Sequence, residues 1–162
     1  MSVIDMSMPA LQERLDGRGL TIGIVVARYN WSITGALLQL AQEELVRLGV
    51  SADQLHVVAV PGSYELAIAA RSMLADETYD GLIVFGCVMK GETRHDVVVA
   101  DAAAQGIQRV ALDTGVPVIF GVICANTQQQ AEARIVRGVE CAQAVVEMAR
   151  TVQTLNGHKR AR

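Results

Sequence analysis

Residues 81–88, GLIVFGCV, form an almost unbroken apolar run that is rich in β-branched side chains. A continuous apolar run of this length is typical of a parallel strand that is covered by helices on both faces. Three similar runs are LTIGIVVA (20–27), HVVAV (56–60) and VPVIFGVI (116–123). Together the four runs predict a four-stranded parallel sheet.

Apolar residues at helical spacing follow each run. They are Leu38, Ala41, Leu45 and Leu48 after the first, Leu66, Ala69, Ala70 and Met73 after the second, Val98, Ala102, Ile107 and Val110 after the third, and Ile135, Val139, Ala142 and Val146 after the fourth. Gly49 fits a helix stop, and Gly106 is expected to weaken the third helix. Alternating strands and helices with short connections predict one α/β domain over residues 1–162, with helices flanking the sheet. Residues 1–19 are expected to be extended and could add an edge strand, and residues 153–162 are expected to form a disordered tail.

The composition argues against several classes of partner. The formal net charge is −3 and the chain has no basic stripe, which disfavours nucleic acid as the main partner. The three cysteines show no CxxC pair and no histidine at ligand spacing, so no metal is expected and the thiols are expected to be reduced. Nucleotide-binding fingerprints are absent, and no cofactor is predicted. With neither a signal peptide nor an apolar run near the ~20 residues of a membrane span, a cytoplasmic protein is predicted.

Polar and aromatic residues follow all four predicted strands. The segments are ARYNWS (27–32), VPGSYE (60–65), KGETRH (90–95) and CANTQQQ (124–130). Because ligands of open α/β sheets bind outside the carboxyl ends of the strands, these segments predict one composite small-molecule site. Glu92 and Thr93 at a loop-to-helix junction suit an anion, and His95, about one turn into that junction, suits proton transfer near neutral pH.

Each of these residues also has a structural interpretation. Glu92 and Thr93 could form an ordinary helix cap, and a lone histidine such as His95 is usually structural. Tyr29 and Trp31 could stack on a heteroaromatic ligand or simply cap the core. The two arginines of the last predicted helix, Arg134 and Arg137, are by default solvated surface residues.

Five short motifs in order resemble the lumazine synthase family of riboflavin biosynthesis. ARYN (27–30) is similar to its R-[FY]-N segment, VPGSYE to its VPG-x-[FY]-E, and GCVMKGETRH (86–95) to its G-x-V-[IM]-[RK]-G-x-T-x-H. PVIFGV (117–122) and a T-x-x-QA-x-x-R segment ending at Arg134 complete the set. The resemblance covers about residues 20–148, and it implies a three-layer, flavodoxin-like fold assembled as pentamers or multiples of pentamers, with sites between adjacent subunits.

The resemblance also implies a transferase that joins 5-amino-6-(D-ribitylamino)uracil to 3,4-dihydroxy-2-butanone 4-phosphate without a cofactor. Tyr29 would stack on the pyrimidine, and Phe120 would cover it from the neighbouring subunit. The ribityl chain would contact Ser63, Tyr64 and Glu65, and the ring would lie against Cys87, Val88 and Met89. The phosphate would be bound by the backbone at Glu92 and Thr93 together with Arg134, with Arg137 in place of a family lysine. His95 would be the proton shuttle.

The sequence departs from the family pattern beside that histidine. The family has an aromatic residue and then an acid after the histidine, whereas this chain has Asp96 and Val97. The Gly- and Lys-rich link before the last helix is also missing, which favours pentamers or decamers over a sixty-subunit shell. Two alternatives remain open at this level: an archaeal-type riboflavin synthase, and a non-catalytic scaffold that binds lumazine or flavin.

Overall fold

The computed structural model describes residues 15–76 and 78–160, with the side chains of 158–160 left out. Its four strands are β1 (Ile22–Ala27), β2 (Leu55–Val60), β3 (Gly81–Met89) and β4 (Val118–Ala125). Its helices are α1 (Trp31–Arg47), α2 (Leu66–Met73), α3 (His95–Thr114), α4 (Gln128–Glu132) and α5 (Arg137–Arg160). Short 3₁₀ turns at Ala52–Gln54 and Ser63–Glu65 precede β2 and α2.

The strands form one parallel sheet in the order β2-β1-β3-β4, which confirms the predicted sheet and fold class. The apolar runs predicted each strand to within two residues at either end. Parallel pairing explains why the runs are continuous, since both faces of the central strands are covered.

The side chains of β3 alternate between two apolar cores. Ile83, Phe85 and Cys87 pack with buried residues of α1 and α5, whereas Leu82 and Val84 pack with those of α2 and α3. Two helices therefore lie on each face of the sheet, giving three layers. The carboxyl ends of all four strands consequently meet at one edge.

Two helices differ from their sequence-based predictions. α3 runs without a break through Gly106, because this glycine marks a close approach: a Cβ there would lie 2.9 Å from the Cβ of Ala67. The last predicted helix is divided, since residues 133–136 form a turn between α4 and α5. Arg134 therefore lies in that turn and not on a helix.

The carboxyl-terminal end of the described chain also differs from expectation. A disordered tail was predicted from residue 153, but α5 continues through Arg160. Tertiary contacts hold this end: the Arg150 guanidinium donates to the Asp16 and Arg18 carbonyls at 3.0 and 2.7 Å, and Gln153 Nε2 donates to Asp80 Oδ1 at 3.3 Å. The possible N-terminal edge strand falls mainly on residues outside the described ones, and residues 15–20 contain none.

Candidate active site

Two adjoining cavities lie at the carboxyl ends of the strands. The larger has a volume of about 370 Å³ and the smaller about 310 Å³. Four residues border both of them: Tyr29, Ser63, His95 and Val99. The larger cavity is otherwise lined by Gly62, Tyr64, Glu65 and Val98, and the smaller by Asn30, Cys87, Val88, Met89, Gly91, Thr93 and Asp96. The two cavities thus form one continuous cleft with a shared centre.

An exposed aromatic ring forms one wall of the cleft. Tyr29 follows β1, and its backbone N–H donates to the Pro61 carbonyl at 3.0 Å, which ties the ends of β1 and β2 together. Its ring lies over Gly62, where a Cβ would come within 2.7 Å of Tyr29 Cδ2. Tyr29 is 66% exposed, so it lies outside the core and presents its ring to the cleft.

Hydrogen-bonding groups follow at the turn before α2. Ser63 is only 5% exposed, and its hydroxyl lies against Gly86 of β3, which has no side chain to displace it. Glu65 Oε2 accepts a hydrogen bond from the Gly62 N–H at 3.0 Å, which orients the carboxylate beside the cavity. Tyr64 is 62% exposed at the mouth of the larger cavity. A hydroxyl, a carboxylate and a phenol therefore border one end of the cleft, as a polyol would require.

The end of β3 forms an apolar wall of the cleft. Cys87, Val88 and Met89 line the smaller cavity, and the Cys87 Sγ donates to the Met89 sulfur at 3.7 Å. Burial raises the pKa of the Cys87 thiol, with a smaller contribution from Cys124. The thiol consequently stays protonated near neutral pH and serves as a wall, since the thiolate is the reactive form of cysteine.

The histidine predicted to carry protons is the first residue of α3. It was predicted to lie about one turn into the loop-to-helix junction, and the junction ends at this residue. The His95 N–H donates to Thr93 Oγ1 at 3.3 Å, and its side chain borders both cavities. Gly91 borders the smaller cavity with open space where a side chain would stand. The amino end of a 20-residue helix thus faces a polar, roomy loop, an arrangement that favours anions.

Trp31, the only tryptophan of the chain, begins α1 two residues after Tyr29. It is 52% exposed, and its indole lies along Gly35 on the next turn of the helix. Trp31 borders neither cavity, whereas Tyr29 borders both.

Four of the predicted site residues lie outside the cleft of this chain. Glu92 is exposed in the loop before α3, and Phe120 is 37% exposed on the edge strand β4. In the turn after α4, the Arg134 Nη1 donates to the Gln130 carbonyl at 2.7 Å. Arg137 pairs with Glu140 at 3.8 Å.

The cleft also contains residues that were not among the predicted site residues. Gly62, Gly91 and Asp96 stand next to predicted site residues, whereas Asn30 was noticed only as part of a motif. Val98 was predicted to face the core, but it is exposed and lines the cleft with Val99. Their spacing of three and four residues from His95 is the signal that could have identified them.

Two further properties bear on the class of protein. Within residues 15–76 and 78–160, no helix is long and apolar enough to cross a membrane. In the same part of the chain, no group of three or more histidine, cysteine or acidic side chains could hold a metal ion.

The fold and the cleft define an α/β protein with an open parallel sheet and a small-molecule site at the carboxyl ends of its strands. The family model of 6,7-dimethyl-8-ribityllumazine synthase matches residues 19–153. The synthase of that name from Polynucleobacter necessarius is 44% identical over 140 residues, which cover 86% of this chain and 82% of the relative. The synthase of Nitrosospira multiformis is 39% identical, and the match covers 90% of this chain and 92% of the relative. The synthase of Cupriavidus necator is 42% identical, and the match covers 88% of this chain and 86% of the relative. The chain belongs to the lumazine synthase family.

Proposed function

We propose that this chain condenses 5-amino-6-(D-ribitylamino)uracil with 3,4-dihydroxy-2-butanone 4-phosphate to give 6,7-dimethyl-8-ribityllumazine, phosphate and water. The observation that carries the proposal is the shared centre of the two cavities. His95 borders both, with an aromatic wall and polyol-binding groups on one side and an anion-favouring loop on the other. A site for two different reactants needs this division.

The larger cavity, together with the slot between Tyr29 and the end of β3, suits the ribitylaminouracil. Its pyrimidine would stack on the exposed ring of Tyr29, as flat heteroaromatic rings do on phenol rings. The ribityl hydroxyls would bond to the buried Ser63 hydroxyl and to Glu65, whose Oε2 is already oriented by the Gly62 N–H. Glu65 is oriented by the Gly62 N–H and the Ser63 hydroxyl is packed against Gly86 before the ligand arrives, so little entropy is lost on binding.

The loop side of the smaller cavity suits the butanone phosphate. Gly91 and Thr93 border it where α3 begins, and the open space at Gly91 admits an anion close to the backbone. Backbone N–H groups of the loop and the positive end of the helix would stabilise the phosphate both when bound and when it leaves. Thr93 contributes a hydroxyl to the same loop.

Proton transfer by His95 connects the two half-sites. The uracil 5-amino group attacks the ketone carbon, the nitrogen loses its protons, and the oxygen leaves as water to give an imine. Removal of a proton from the adjacent carbon then expels inorganic phosphate and leaves an enol, which tautomerises to a second carbonyl. The ribitylamino nitrogen finally attacks the second carbonyl and closes the ring with loss of another water. An imidazole at the junction can accept and return these protons, and the remaining rate comes from holding the reactants together.

A coupled assay tests this proposal. Purified protein is mixed with both substrates while lumazine absorbance and free phosphate are followed. We expect one phosphate per lumazine, and a roughly 10²-fold loss of kcat in His95→Ala, the lower end for general acid–base catalysis. The matched control is His56→Gln, because His56 lies on β2 at the opposite edge of the sheet, bonded to the Tyr79 hydroxyl at 2.8 Å. No rate above spontaneous condensation would refute the proposed activity, and equal losses in both variants would refute the role of His95.

We further propose a homo-oligomer built from pentamers, in which a neighbouring subunit completes each cleft. Phe120 and Arg134 lie beyond the cavities of their own protomer, on β4 and after α4. Exposed apolar side chains at Val97, Val98 and Phe120 would be covered by such a neighbour. In this arrangement Phe120 closes over the pyrimidine, and Arg134, with Arg137 beside it, reaches the phosphate bound at Glu92 and Thr93.

Complementation between inactive chains tests the shared site. His95→Ala and Arg134→Ala chains are co-expressed with different tags and purified as mixed oligomers. Sites that combine two subunits regain both residues in a fraction of positions, so activity should reappear. If Arg134 acts within its own subunit, the mixture stays as inactive as the separate variants. Sedimentation of the wild-type protein gives the subunit number directly.

A cytoplasmic location completes the proposal. Cys87, Cys124 and Cys141 are all unpaired thiols, as expected in a reducing compartment. Fractionation of cells that express the tagged chain would test this location, and recovery from a membrane or secreted fraction would refute it.

A further inference from the structure

Asn30 adopts a backbone conformation that few residues other than glycine tolerate. Its φ and ψ are 60° and 47°, and no other described non-glycine residue has a positive φ. Its carbonyl accepts hydrogen bonds from the N–H groups of Ile33 and Thr34 at 2.9 and 3.1 Å, so this one residue ends the β1 connection and starts α1. Asparagine is among the side chains best suited to this region.

The side chain of Asn30 reaches across to β3. Pairing between β1 and β3 stops at Val26 and Phe85, yet β3 continues to Met89. Asn30 Nδ2 donates to the Cys87 carbonyl at 2.8 Å. The amide therefore substitutes for the backbone donor that a longer β1 would have supplied, and it secures the part of β3 that lines the cleft.

The residue before it secures the opposite wall. Tyr29 is bonded through its N–H to Pro61, and its ring rests on Gly62. Consecutive residues thus connect the aromatic wall and the β3 wall of one cleft. The backbone turn at Asn30 and its bond to Cys87 set the distance between them.

We propose that Asn30 is a positioning residue that sets the width of the pyrimidine slot between Tyr29 and the end of β3. It acts through the Cys87 carbonyl and not on the reacting atoms. The inference rests on the proposed function, because it assigns the slot to the ribitylaminouracil ring. Loss of the bond should loosen binding of the flat ring while leaving the phosphate loop before α3 intact.

Two substitutions separate the side-chain bond from the backbone turn. Asn30→Gly keeps the positive φ at no steric cost but removes the donor. Asn30→Asp tolerates the same φ but places a carboxylate against the Cys87 carbonyl. KM for each substrate, kcat, and the Kd for 6,7-dimethyl-8-ribityllumazine are measured for both, with unfolding midpoints recorded in parallel.

We expect KM for the uracil and Kd for the lumazine to rise about tenfold in both variants, the effect of one lost hydrogen bond. KM for the butanone phosphate should change less than twofold. If Asn30→Gly binds lumazine like the wild type, or if both KM values rise together, the positioning role is wrong. A wild-type protein that neither forms nor binds lumazine would instead overturn the proposed function, and this inference with it.

Discussion

Gly86→Ala tests how the cleft and the core share one strand. A Cβ at this position would lie within 3.0 Å of Ser63 Oγ, and at 3.2 Å from both Ser63 Cβ and Leu66 Cδ1. Leu66 and Ser63 are buried, so neither can turn away freely. Overpacking of this kind lowers the unfolding free energy by about 1–3 kcal/mol, whereas replacing a strand glycine by alanine raises it by roughly 0.5–1 kcal/mol. We expect a net loss of about 1–2 kcal/mol of unfolding free energy.

Urea denaturation at one fixed protein concentration measures this loss as a lower midpoint with an unchanged slope. The same substitution in a Ser63→Ala background should cost about 1 kcal/mol less, because the clashing hydroxyl is gone. Gly157→Ala is the matched control, since it adds a methyl group in open space at an exposed position of α5 and should not destabilise the protein. Equal costs of Gly86→Ala with and without the Ser63 hydroxyl would refute the packing argument.

Three further predictions concern α1, α4 and α5. Hydrogen bonds from Arg47 lower the pKa of the buried Glu44 carboxyl. The stability that the ionised Glu44 adds is therefore present above the ordinary glutamate pKa of about 4.3 and is lost as the pH falls below it. Glu44→Gln should lower the unfolding free energy by about 1–2 kcal/mol at pH 7, and urea titrations at several pH values should show the difference shrinking below pH ~4. Burial raises the pKa of the Cys141 thiol to about 11. Mass spectrometry should therefore show no reaction of this thiol with iodoacetamide at pH 8 until denaturant is added. Labelling of Cys141 in the native protein would contradict its burial. Thr127→Ala removes the acceptor for the Gln130 N–H at 3.2 Å and should cost about 1 kcal/mol in thermal unfolding, whereas Thr127→Ser should be nearly neutral.

The sheet could be predicted from sequence because its physical signal is local. Continuous apolar runs indicate strands that are covered on both faces, and rim segments such as VPGSYE follow directly from the strand ends. Helical spacing was less reliable at Val98, since an apolar residue can line a cleft as readily as a core. The turn at residues 133–136 carries no proline or glycine, so nothing in the sequence marked the break between α4 and α5.

Other parts of the site depend on contacts distant in sequence. The bond from Asn30 to Cys87 joins residues 57 positions apart, and no local pattern announces it. The space that Gly86 leaves for Ser63 likewise requires the packed arrangement of β3 and α2. Motif resemblance located these residues, but their mutual support became evident only from the fold.

Trp31 has a consequence for how the protein can be observed. It is the sole tryptophan, it is half exposed and it is adjacent in sequence to Asn30. Tryptophan fluorescence of this protein therefore reports on a single position. A change in tryptophan emission during a ligand titration would report on the start of α1 beside the cleft. It would not report on changes at the amino ends of the strands. In a thermal melt the same indole would register fraying of this helix end before the cores separate. Comparing its emission with circular dichroism would therefore distinguish local opening near the ligand from loss of the whole fold.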